Sequence, residues 1–599
     1  MSATITEQKV LKGGEFLIAD APYATTFMPE EFNEEQRMVR QMVQDFIDRE
    51  IKPKLDKIEK QEDNIAPRLL EMMADLGLLG SHMPEAYGGM EMDTNTNTLI
   101  CDVMGGSSGS FTVSYAAHTG IGMLPILYYG TEQQKEAYLP RLISGELKAA
   151  YCLTEPGSGS DAMGAKTTAT LDGDAYVLNG QKMWISNAGF ADVFIVFAQV
   201  DGDKFTGFIV PKGLEGLTLG AEEDKLGIKG SSTRQVFFEN VRVPAGNSLG
   251  QIGKGHLIAF NVLNVGRFKL HALSVGGAKR SLEVGIRYAN ERIQFKQPIA
   301  NFGAIKYKIG EAGIRIFAGE SALYRVSQQI QDMNKQLMAE GKSFAEAKLL
   351  SAEEYAIECA LLKFLGSETL DYTVDEVVQI HGGMGYSEET LAPRMYRDSR
   401  INRIYEGTNE INRLLSVDML LRRAMKGALD IVGPAWEVQK ELSGMPGLDR
   451  PTGDYGEELK AVSDFKKLIL MVAGAAAKQQ MDGKLNLKSE QEILMNVADM
   501  LGDLLQAEST LMRVQKMRER GLGDQAPEVY DAALRTYLHD ATFRMQKNAT
   551  DAVASFVEGD LLRTFTMGIK RFTKYPPQNV KKLRRIVADT LIDANAYVL

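Results

Sequence analysis

The sequence contains few cysteines and no long apolar run. Only Cys101, Cys152 and Cys359 occur, far apart and without the spacing of metal ligands, so we expect neither a disulfide framework nor a structural zinc site. The most apolar run, residues 468–477, is much shorter than the ~20 residues of a membrane-spanning helix. The first thirty residues lack both the apolar core of a signal peptide and the Arg-rich pattern of an organellar leader. Together these absences predict a cytoplasmic protein.

Excess positive charge is also missing. The net charge of -11 argues against a nucleic-acid-binding protein, which needs a basic face to neutralise phosphates. With 44% hydrophobic and 25% charged residues, the composition is typical of a soluble globular protein. A length of 599 residues predicts three or four packed domains and not a single core.

Helical patterns mark the beginning of the chain. Asn33 and Gln36 form a capping-box pattern in front of apolar residues at helical spacing, which predicts a helix after Asn33. Similar patterns predict helices at residues 67–79 and 131–142. We therefore predict an N-terminal helical domain over residues 1–148.

The apolar period changes from 3.6 to 2 at about Ala149, which predicts a β domain over residues 149–254. Turn signals at 172–173 and 179–180 bracket one short strand. Further strands are predicted at 193–200, 205–210 and 235–243, and the short links between strands predict antiparallel pairing.

Helical patterns return at Gly255 and continue to the end of the chain. Residues 255–421 form a predicted second helical domain, and a connector rich in Pro and Gly at 444–447 and 451–453 predicts a separate C-terminal helical domain over residues 422–599. Apolar residues at 497, 500, 501, 504 and 505 have helical spacing, so we expect this stripe to be buried. Basic residues between 570 and 585 are interpreted as a solvated or inter-subunit face. The stretch from 424 to 444 is a candidate for peripheral membrane contact, although a loop or a core-packing helix is the simpler interpretation.

Residues 405–408, Tyr-Glu-Gly-Thr, form the most informative stretch. A carboxylate between an aromatic residue and a Gly-Thr pair predicts an acid held at a turn between two helices, where Glu406 can act as a base. From this stretch alone, a surface glutamate paired with arginine is the simpler interpretation. Three other segments change that weighting, namely residues 151–161 (YCLTEPGSGSD), 181–187 (QKMWISN) and 379–386 (QIHGGMGY).

The glycines in these segments do not form a dinucleotide-binding motif, because neither glycine stretch lies in a βαβ unit. In their order and spacing the segments instead resemble the signature segments of the acyl-CoA dehydrogenase family. The segment Asn264-Val265-Gly266-Arg267-Phe268, the segment from His118 to Gly122 and the extra C-terminal helices are similar to the very-long-chain members of that family. The resemblance implies an α+β fold that is mainly α: an N-terminal helical domain, a central antiparallel β domain, a second helical bundle domain that carries the base, and an extra C-terminal helical domain.

The resemblance also implies a non-covalently bound FAD. On a regular strand Trp184 and Ser186 point to the same face, so Trp184 would line the flavin ring and Ser186 would bond flavin N5. In the family, segments that correspond to 292–295 and 379–383 reach the FAD of a neighbouring subunit, which implies a homodimer. The implied FAD-binding residues are Tyr151, Leu153, Thr154, Ser160, Trp184, Ser186, Arg292, Gln294, Phe295, Gln379, Gly382, Gly383, Thr408 and Glu410.

The implied reaction is the α,β-dehydrogenation of a long-chain acyl-CoA in fatty-acid β-oxidation. Glu406 would remove the α-proton while a β-hydride moves to flavin N5, and its backbone N–H would polarise the thioester carbonyl together with the flavin ribityl 2′-hydroxyl. Some relatives carry the base at the position of Gly266, so Glu406 is the candidate in this chain. Electron-transfer flavoprotein is the implied electron acceptor. The implied substrate-binding residues are Ser160, Asn264, Arg267 and Gly407, and small residues at 116, 117 and 120 suggest a deep acyl site.

Two alternatives remain open at this point. An acyl-CoA oxidase shares the base, the flavin and an extra helical domain but passes electrons to oxygen, and flavin exposure decides between the two. A catalytically idle relative could act as a scaffold or assembly protein, although Glu406, Trp184 and Ser186 argue against that function.

Overall fold

The computed structural model describes residues 10–444 and 451–599. Met445, Pro446 and Gly447 of the predicted connector lie outside the described residues, as do residues 1–9 of the stretch that we searched for a leader.

Helices form the first part of the described chain. The predicted capping box is present, because Asn33 caps α1 and exchanges hydrogen bonds with Gln36. Thr131 caps α7 in the same way with Gln134, so the helix predicted at 131–142 is also confirmed. The helix predicted at 67–79 lies at Ile65–Asp75. The helices of this region are α1 Glu34–Phe46, α2 Leu55–Glu59, α3 Ile65–Asp75, α4 Thr94–Gly105, α5 Gly109–Ala116, α6 Leu124–Tyr129 and α7 Glu132–Ile143.

A twisted sheet follows, with the strand order β6-β7-β3-β2-β4-β5-β8 and with β1 paired to β4. Most pairs are antiparallel, as predicted, but β1 and β2 both run parallel to β4. The strands are β1 Ala149–Cys152, β2 Thr168–Asp172, β3 Ala175–Ser186, β4 Val193–Val200, β5 Lys204–Pro211, β6 Leu217–Glu222, β7 Thr233–Pro244 and β8 Ser248–Leu249.

Two details of β3 differ from the predictions. The predicted turn at Asn179-Gly180 is wrong, because both residues lie inside β3 at a bulge opposite β7. A Cβ at Gly180 would lie 2.6 Å from the Thr167 hydroxyl, so glycine is needed for close approach and not for a turn. A second bulge between Lys182 and Ile185 breaks the regular alternation on which the shared face of Trp184 and Ser186 was predicted.

Long helices form the rest of the described chain. A short hairpin, β9 Ile293–Gln294 and β10 Gln297–Pro298, separates the first two helices of the second helical region. The helices of that region are α8 Gly255–Glu291, α9 Gly303–Ala339, α10 Phe344–Glu354, α11 Ala356–His381, α12 Gly383–Tyr386, α13 Leu391–Arg400 and α14 Asn409–Met425. The C-terminal helices are α15 Val432–Ser443, α16 Gly456–Met481, α17 Gln491–Arg520, α18 Pro527–Phe556, α19 Gly559–Phe572 and α20 Val580–Ala594.

One apolar core connects the N-terminal, second and C-terminal helical regions. Leu99 on α4, Phe317 on α9 and Leu501 on α17 all belong to it and are at most 1% exposed. The stripe predicted at 497–505 is buried there, against α9, α11 and α14. Two smaller cores cover the two faces of the sheet. The C-terminal helices are therefore packed into the body of the protein.

The basic residues near the C-terminus are not all solvated. The interpretation as a solvated or inter-subunit face is wrong for Arg584, which is 8% exposed and pairs with Glu311 of α9 at 2.9 Å. Arg571 pairs with Glu441 of α15, also at 2.9 Å. In the stretch from 424 to 444, α15 buries Val438 and exposes Trp436. Membrane contact through this stretch stays a prediction, and within 10–444 and 451–599 no helix is long and apolar enough to cross a bilayer.

Candidate active site

Glu406 lies at a tight turn between the end of α13 and the start of α14, as the sequence predicts. Glu406 and Gly407 both have left-handed backbones, with φ of 57° and 79°. Such a φ is uncommon for a residue with a side chain, and it persists only where surrounding contacts enforce it. Thr408 caps α14, because its hydroxyl accepts a hydrogen bond from the Ile411 N–H at 3.2 Å.

Side chains from three helices hold the carbonyls of this turn. Arg267 of α8 donates to the Glu406 carbonyl at 3.3 Å, and Lys363 of α11 donates to the Gly407 carbonyl at 2.7 Å. Asn412 of α14 donates to the same Gly407 carbonyl at 2.8 Å. Among the described residues, no acceptor takes a hydrogen bond from the Glu406 N–H. These donors fix the turn and leave that N–H available to a ligand.

Lys363 and Asn412 were missed by the sequence analysis. Lys363 is fully buried and also donates to the Asn409 amide oxygen at 2.8 Å. Burial lowers its pKa to about 7, while the nearby charge of Glu406 acts in the opposite direction. No sequence pattern links Lys363 to the Glu406 turn, because 44 residues separate Lys363 from Gly407 and the contact forms only in the folded chain.

The carboxylate of Glu406 is poorly solvated and incompletely paired. Its Oε2 atom is buried and has no hydrogen-bond partner among the described residues. Burial raises the pKa of Glu406 to about 7, although the charges of Arg267 and Lys363 lower it. A carboxylate with a pKa near neutrality is a stronger base than an ordinary surface glutamate. The alternative of an Arg-paired surface glutamate is therefore wrong.

Gly266 explains how α8 can pass so close to this carboxylate. A Cβ at Gly266 would lie 2.6 Å from Glu406 Oε2 and 3.0 Å from its Cδ. A side chain at this position would therefore occupy part of the space of the Glu406 carboxylate and force that carboxylate to shift. Arg267, the next residue, is buried and donates to the Asn264 amide oxygen at 2.7 Å.

Two cavities meet at Glu406. The wide cavity has a volume of about 1300 Å³ and the narrow channel about 170 Å³. Six residues line both, and we call them the neck: Ala117, Ile121, Ser186, Ile228, Tyr405 and Glu406. The wide cavity contains most of the predicted site residues, namely Tyr151, Leu153, Thr154, Ser160, Trp184, Ser186, Asn264, Arg267, Glu406, Gly407 and Thr408.

The loop after β1 forms one wall of the wide cavity, and a buried ion pair holds it. Glu155 and Lys182 of β3 pair at 2.6 Å, and both are nearly fully buried. Glu155 also accepts a hydrogen bond from the Thr167 N–H at 3.0 Å, and the Leu153 carbonyl accepts one from Lys182. The Ser160 and Thr154 hydroxyls are thus presented by a fixed loop. No sequence pattern predicts this supporting pair.

Trp184 and Ser186 both line the wide cavity in spite of the bulge in β3. Trp184 has a positive φ of 60° and is 52% exposed, so its indole forms an open aromatic wall. The Tyr151 hydroxyl is buried without a hydrogen-bond partner among the described residues.

The narrow channel follows one face of α8. Its lining includes Gly266, Leu270, Gly277 and Ser281, which are spaced by four to seven residues. Fifteen residues of helix at 1.5 Å each give a length of about 22 Å. Ala116, Ala117 and Gly120, the small residues noted in the sequence, line its opposite wall near the neck.

The remaining predicted cofactor residues do not reach this cavity within one chain. Arg292, Gln294 and Phe295 lie at the β9–β10 hairpin, whose Phe295 is 86% exposed. Gln379, Gly382 and Gly383 lie where α11 ends, and the stacked rings of Tyr288 and His381 hold this region against the end of α8, with centroids 4.1 Å apart. Glu410 is exposed in the first turn of α14. That these seven residues bind FAD stays a prediction. No cluster of His, Cys, Asp and Glu suited to a metal ion occurs in the described ranges.

A buried carboxylate with a raised pKa at the junction of two cavities is typical of an enzyme active site. Family models described as the acyl-CoA dehydrogenase N-terminal, middle and C-terminal domains match residues 33–146, 150–241 and 253–421. A further model, also described as an acyl-CoA dehydrogenase C-terminal domain, matches residues 464–571. The chain belongs to the acyl-CoA dehydrogenase family.

Individual relatives agree with this assignment. A probable acyl-CoA dehydrogenase of Bacillus subtilis (strain 168) is 45% identical over 593 residues, which cover 98% of this chain and 99% of the relative. The human very long-chain specific mitochondrial acyl-CoA dehydrogenase is 38% identical over 396 residues, 64% of this chain and 56% of that relative. The crystal structure of an acyl-CoA dehydrogenase complexed with FAD from Bacillus anthracis superimposes with a TM-score of 0.94 at 44% identity, covering 98% of this chain and all of the other.

Proposed function

We propose that this chain is an FAD-dependent dehydrogenase that converts long-chain acyl-CoA to trans-2-enoyl-CoA in fatty-acid β-oxidation, with Glu406 as the α-proton base. The observation that carries the proposal is the position of Glu406. Its unpartnered carboxylate oxygen lies at the neck between a wide cavity and an apolar channel, and its pKa is raised to about 7. The three buried, unpaired cysteines fit a reducing compartment such as the cytoplasm.

The wide cavity fits FAD. At about 1300 Å³ it exceeds the ~300–1,000 Å³ of ordinary small-molecule sites, as a cofactor and a thioester together require. The exposed indole of Trp184 provides a flat wall, and the buried Tyr151 hydroxyl lacks a partner that a bound ligand can supply. Hydroxyls of Thr154, Ser160 and Ser186 also line the cavity. When bound, FAD supplies the acceptor for the hydride from the β-carbon.

Glu406 takes the α-proton on its carboxylate. Above a pH of about 7 the carboxyl is mainly ionised, so it can accept a proton without first losing one. The Glu406 N–H can donate to the thioester oxygen, where charge develops as the α-proton leaves. Arg267, Lys363 and Asn412 hold the turn, so that this N–H and the carboxylate keep their positions. We expect the apolar side chains of the neck, Ala117, Ile121 and Ile228, to limit the access of water to the reacting carbons.

The length of the narrow channel matches a long acyl chain. At ~1.25 Å per carbon in a fully staggered chain, about 22 Å corresponds to roughly 16 to 18 carbons. Because the channel has a volume of only about 170 Å³, its walls must move apart to admit such a chain. We expect kcat/KM to be highest near palmitoyl-CoA in a panel from butyryl-CoA to chains of about 24 carbons.

A substitution that blocks the narrow channel tests whether the acyl chain binds there. Gly277 lies eleven residues from Gly266, about 16 Å along α8. Gly277→Leu should lower kcat/KM for palmitoyl-CoA ~10-fold or more, because the chain end meets the new side chain. Octanoyl-CoA ends before Gly277 and serves as the internal control. An equal loss for both substrates would show that the acyl chain does not follow this channel.

Anaerobic reduction tests the proposed function itself. Purified protein should carry FAD, and palmitoyl-CoA should bleach the flavin absorbance without an added acceptor. A colourless protein, or a yellow protein that acyl-CoA leaves unchanged, would support the scaffold alternative.

The proposed function includes two protein partners, a second copy of this chain and electron-transfer flavoprotein. The exposed hairpin with Phe295 and the end of α11 with Gly382 form one surface away from this chain's own cavity, which favours a homodimer in which they reach the partner's FAD. Electron-transfer flavoprotein is the proposed acceptor of the electrons. Rapid peroxide formation during turnover without an added acceptor would favour the oxidase instead.

A further inference from the structure

Ile228 is the neck residue with the least common backbone conformation. Its φ is 45°, a left-handed value that is a clear outlier for a β-branched residue. The side chain is 6% exposed and lines both the wide cavity and the narrow channel. Conformations of this kind persist where the surrounding structure enforces them, and they concentrate at functional sites.

Contacts from the helical regions hold the loop that carries Ile228. Asp398 of α13 accepts a hydrogen bond from the Ile228 N–H through a buried carboxylate. Ser110 of α5 accepts one from the Gly230 N–H at 3.1 Å, and Gln61 donates to the Lys229 carbonyl at 2.8 Å. The loop is therefore fastened at Ile228 and at the two residues that follow it.

The loop also leaves no room for displacement toward the helices. A Cβ at Gly227 would lie 2.3 Å from the Arg397 carbonyl oxygen, and a Cβ at Gly230 would lie 2.2 Å from the Ile58 carbonyl oxygen. Both glycines pack directly on backbone. The side chain of Ile228 is consequently placed at the neck by rigid neighbours, and it cannot withdraw without breaking these contacts.

The neck is where the reacting carbons must lie. Glu406 removes a proton from the α-carbon, and both Glu406 and Ser186 belong to the neck. The other neck residues include the small Ala117 and the apolar Ile121. Because Ile228 and Glu406 line the same two cavities, we expect a methyl branch on the α- or β-carbon of a bound acyl chain to meet the Ile228 side chain.

We propose that Ile228 is a specificity-determining residue that makes the enzyme select acyl-CoA chains without a substituent at the reacting carbons, and that Asp398 is the residue that positions it. This inference rests on the proposed function and adds to it a substrate feature, the absence of branching at carbons 2 and 3. Asp398 also lines the narrow channel, and it reaches the neck through its hydrogen bond from the Ile228 N–H.

The test compares palmitoyl-CoA with 2-methylpalmitoyl-CoA by their kcat/KM values. Ile228→Gly removes the side chain and accepts a positive φ without strain. We expect it to raise the ratio of branched to straight-chain kcat/KM ~10-fold or more, since a single methyl group in an apolar pocket is commonly discriminated by such factors. Asp201→Gly is the matched control, because Asp201 also has a positive φ, of 52°, but lies in the exposed β4–β5 turn.

Asp398 variants provide a second, independent measurement. Asp398→Asn keeps an oxygen that can accept the Ile228 N–H and should retain the wild-type ratio. Asp398→Ala loses the acceptor and should raise the ratio in the same direction as Ile228→Gly. If Ile228→Gly turns over palmitoyl-CoA with an unchanged ratio, or if Asp398→Ala folds and keeps the wild-type ratio, the inference is wrong. Wild-type protein that dehydrogenates neither substrate would instead contradict the proposed function.

Discussion

Replacing Glu406 by Gln removes the proposed proton acceptor and keeps the shape of the side chain. We expect Glu406→Gln to retain its fold and FAD, and to lose ~10²–10⁴-fold in the rate of flavin reduction by palmitoyl-CoA, which is the usual contribution of positioned proton transfer. Anaerobic stopped-flow absorbance measures this rate directly. Bleaching at a near-normal rate would locate the base elsewhere.

The same substitution should change how stability depends on pH. In the folded protein the pKa of Glu406 is about 7, above the ordinary 4.5. Between pH 4.5 and 7 this carboxyl is ionised in the unfolded chain but still protonated in the folded protein. The free energy of unfolding of wild-type protein therefore falls as pH rises through this range. The loss reaches about 3 kcal/mol above pH 8. Glu406→Gln has no such loss.

We therefore expect Glu406→Gln to have a higher melting temperature than wild type at pH 8.5, and a smaller advantage at pH 5.5. Thermal unfolding followed by circular dichroism at the two pH values measures the difference. An advantage of the same size at both would mean that the carboxylate is not strained by burial.

The Glu406 turn is held by donors that differ in charge. Variants of these donors can therefore separate an effect on the position of Glu406 from an effect on its pKa. Lys363→Met removes two hydrogen bonds and the cation that lowers the pKa of Glu406. We expect kcat to fall ~10-fold or more and the acidic limb of the kcat/KM profile to move to higher pH. Asn412→Ala loses a neutral donor to the same carbonyl. It should slow turnover and leave the acidic limb in place; a shift of equal size in both variants would rule out an electrostatic role for Lys363.

Short sequence patterns predicted the helices and the turn whose formation depends on residues close together in the chain. The capping boxes at Asn33 and Thr131 locate α1 and α7, and the Glu406 turn was expected from its own four residues. Gly180 misled the prediction, because a glycine that permits close packing on Thr167 has the same sequence pattern as a turn glycine. Lys363 could not be predicted, since its role exists only after α11 packs beneath the turn.

The C-terminal helices are held to the rest of the protein by buried charges as well as by the apolar core. Arg325 of α9 pairs with Glu508 of α17 at 2.7 Å, and both are nearly fully buried. Arg513 of α17 pairs with Glu320 of α9 at 2.8 Å. Removing one partner of such a pair leaves an uncompensated buried charge, which typically costs ~3–5 kcal/mol.

Truncation after Leu421 should therefore yield aggregation or a higher oligomer and not a stable dimer. The truncated chain exposes the apolar face of α9 and leaves Glu320 and Arg325 without their partners from α17. Size-exclusion chromatography with light scattering, together with the FAD content, measures the result. A monodisperse truncated dimer with full FAD would show that the C-terminal helices are an independent appendage.

The contacts of the N-terminal segment set an order of events during synthesis. Glu30 is paired with Arg513, a residue 483 positions later, and Lys466 holds the Ala19 carbonyl from a similar separation. At the ~5–20 residues per second of a translating ribosome, Glu30 waits roughly 25 to 100 s for this partner. Residues 10–32 are thus synthesised long before their partners and are among the last to reach their final positions. Ribosome-bound chains that stop before Arg513 should remain open to proteases at residues 10–32, and chains released at full length should be protected there.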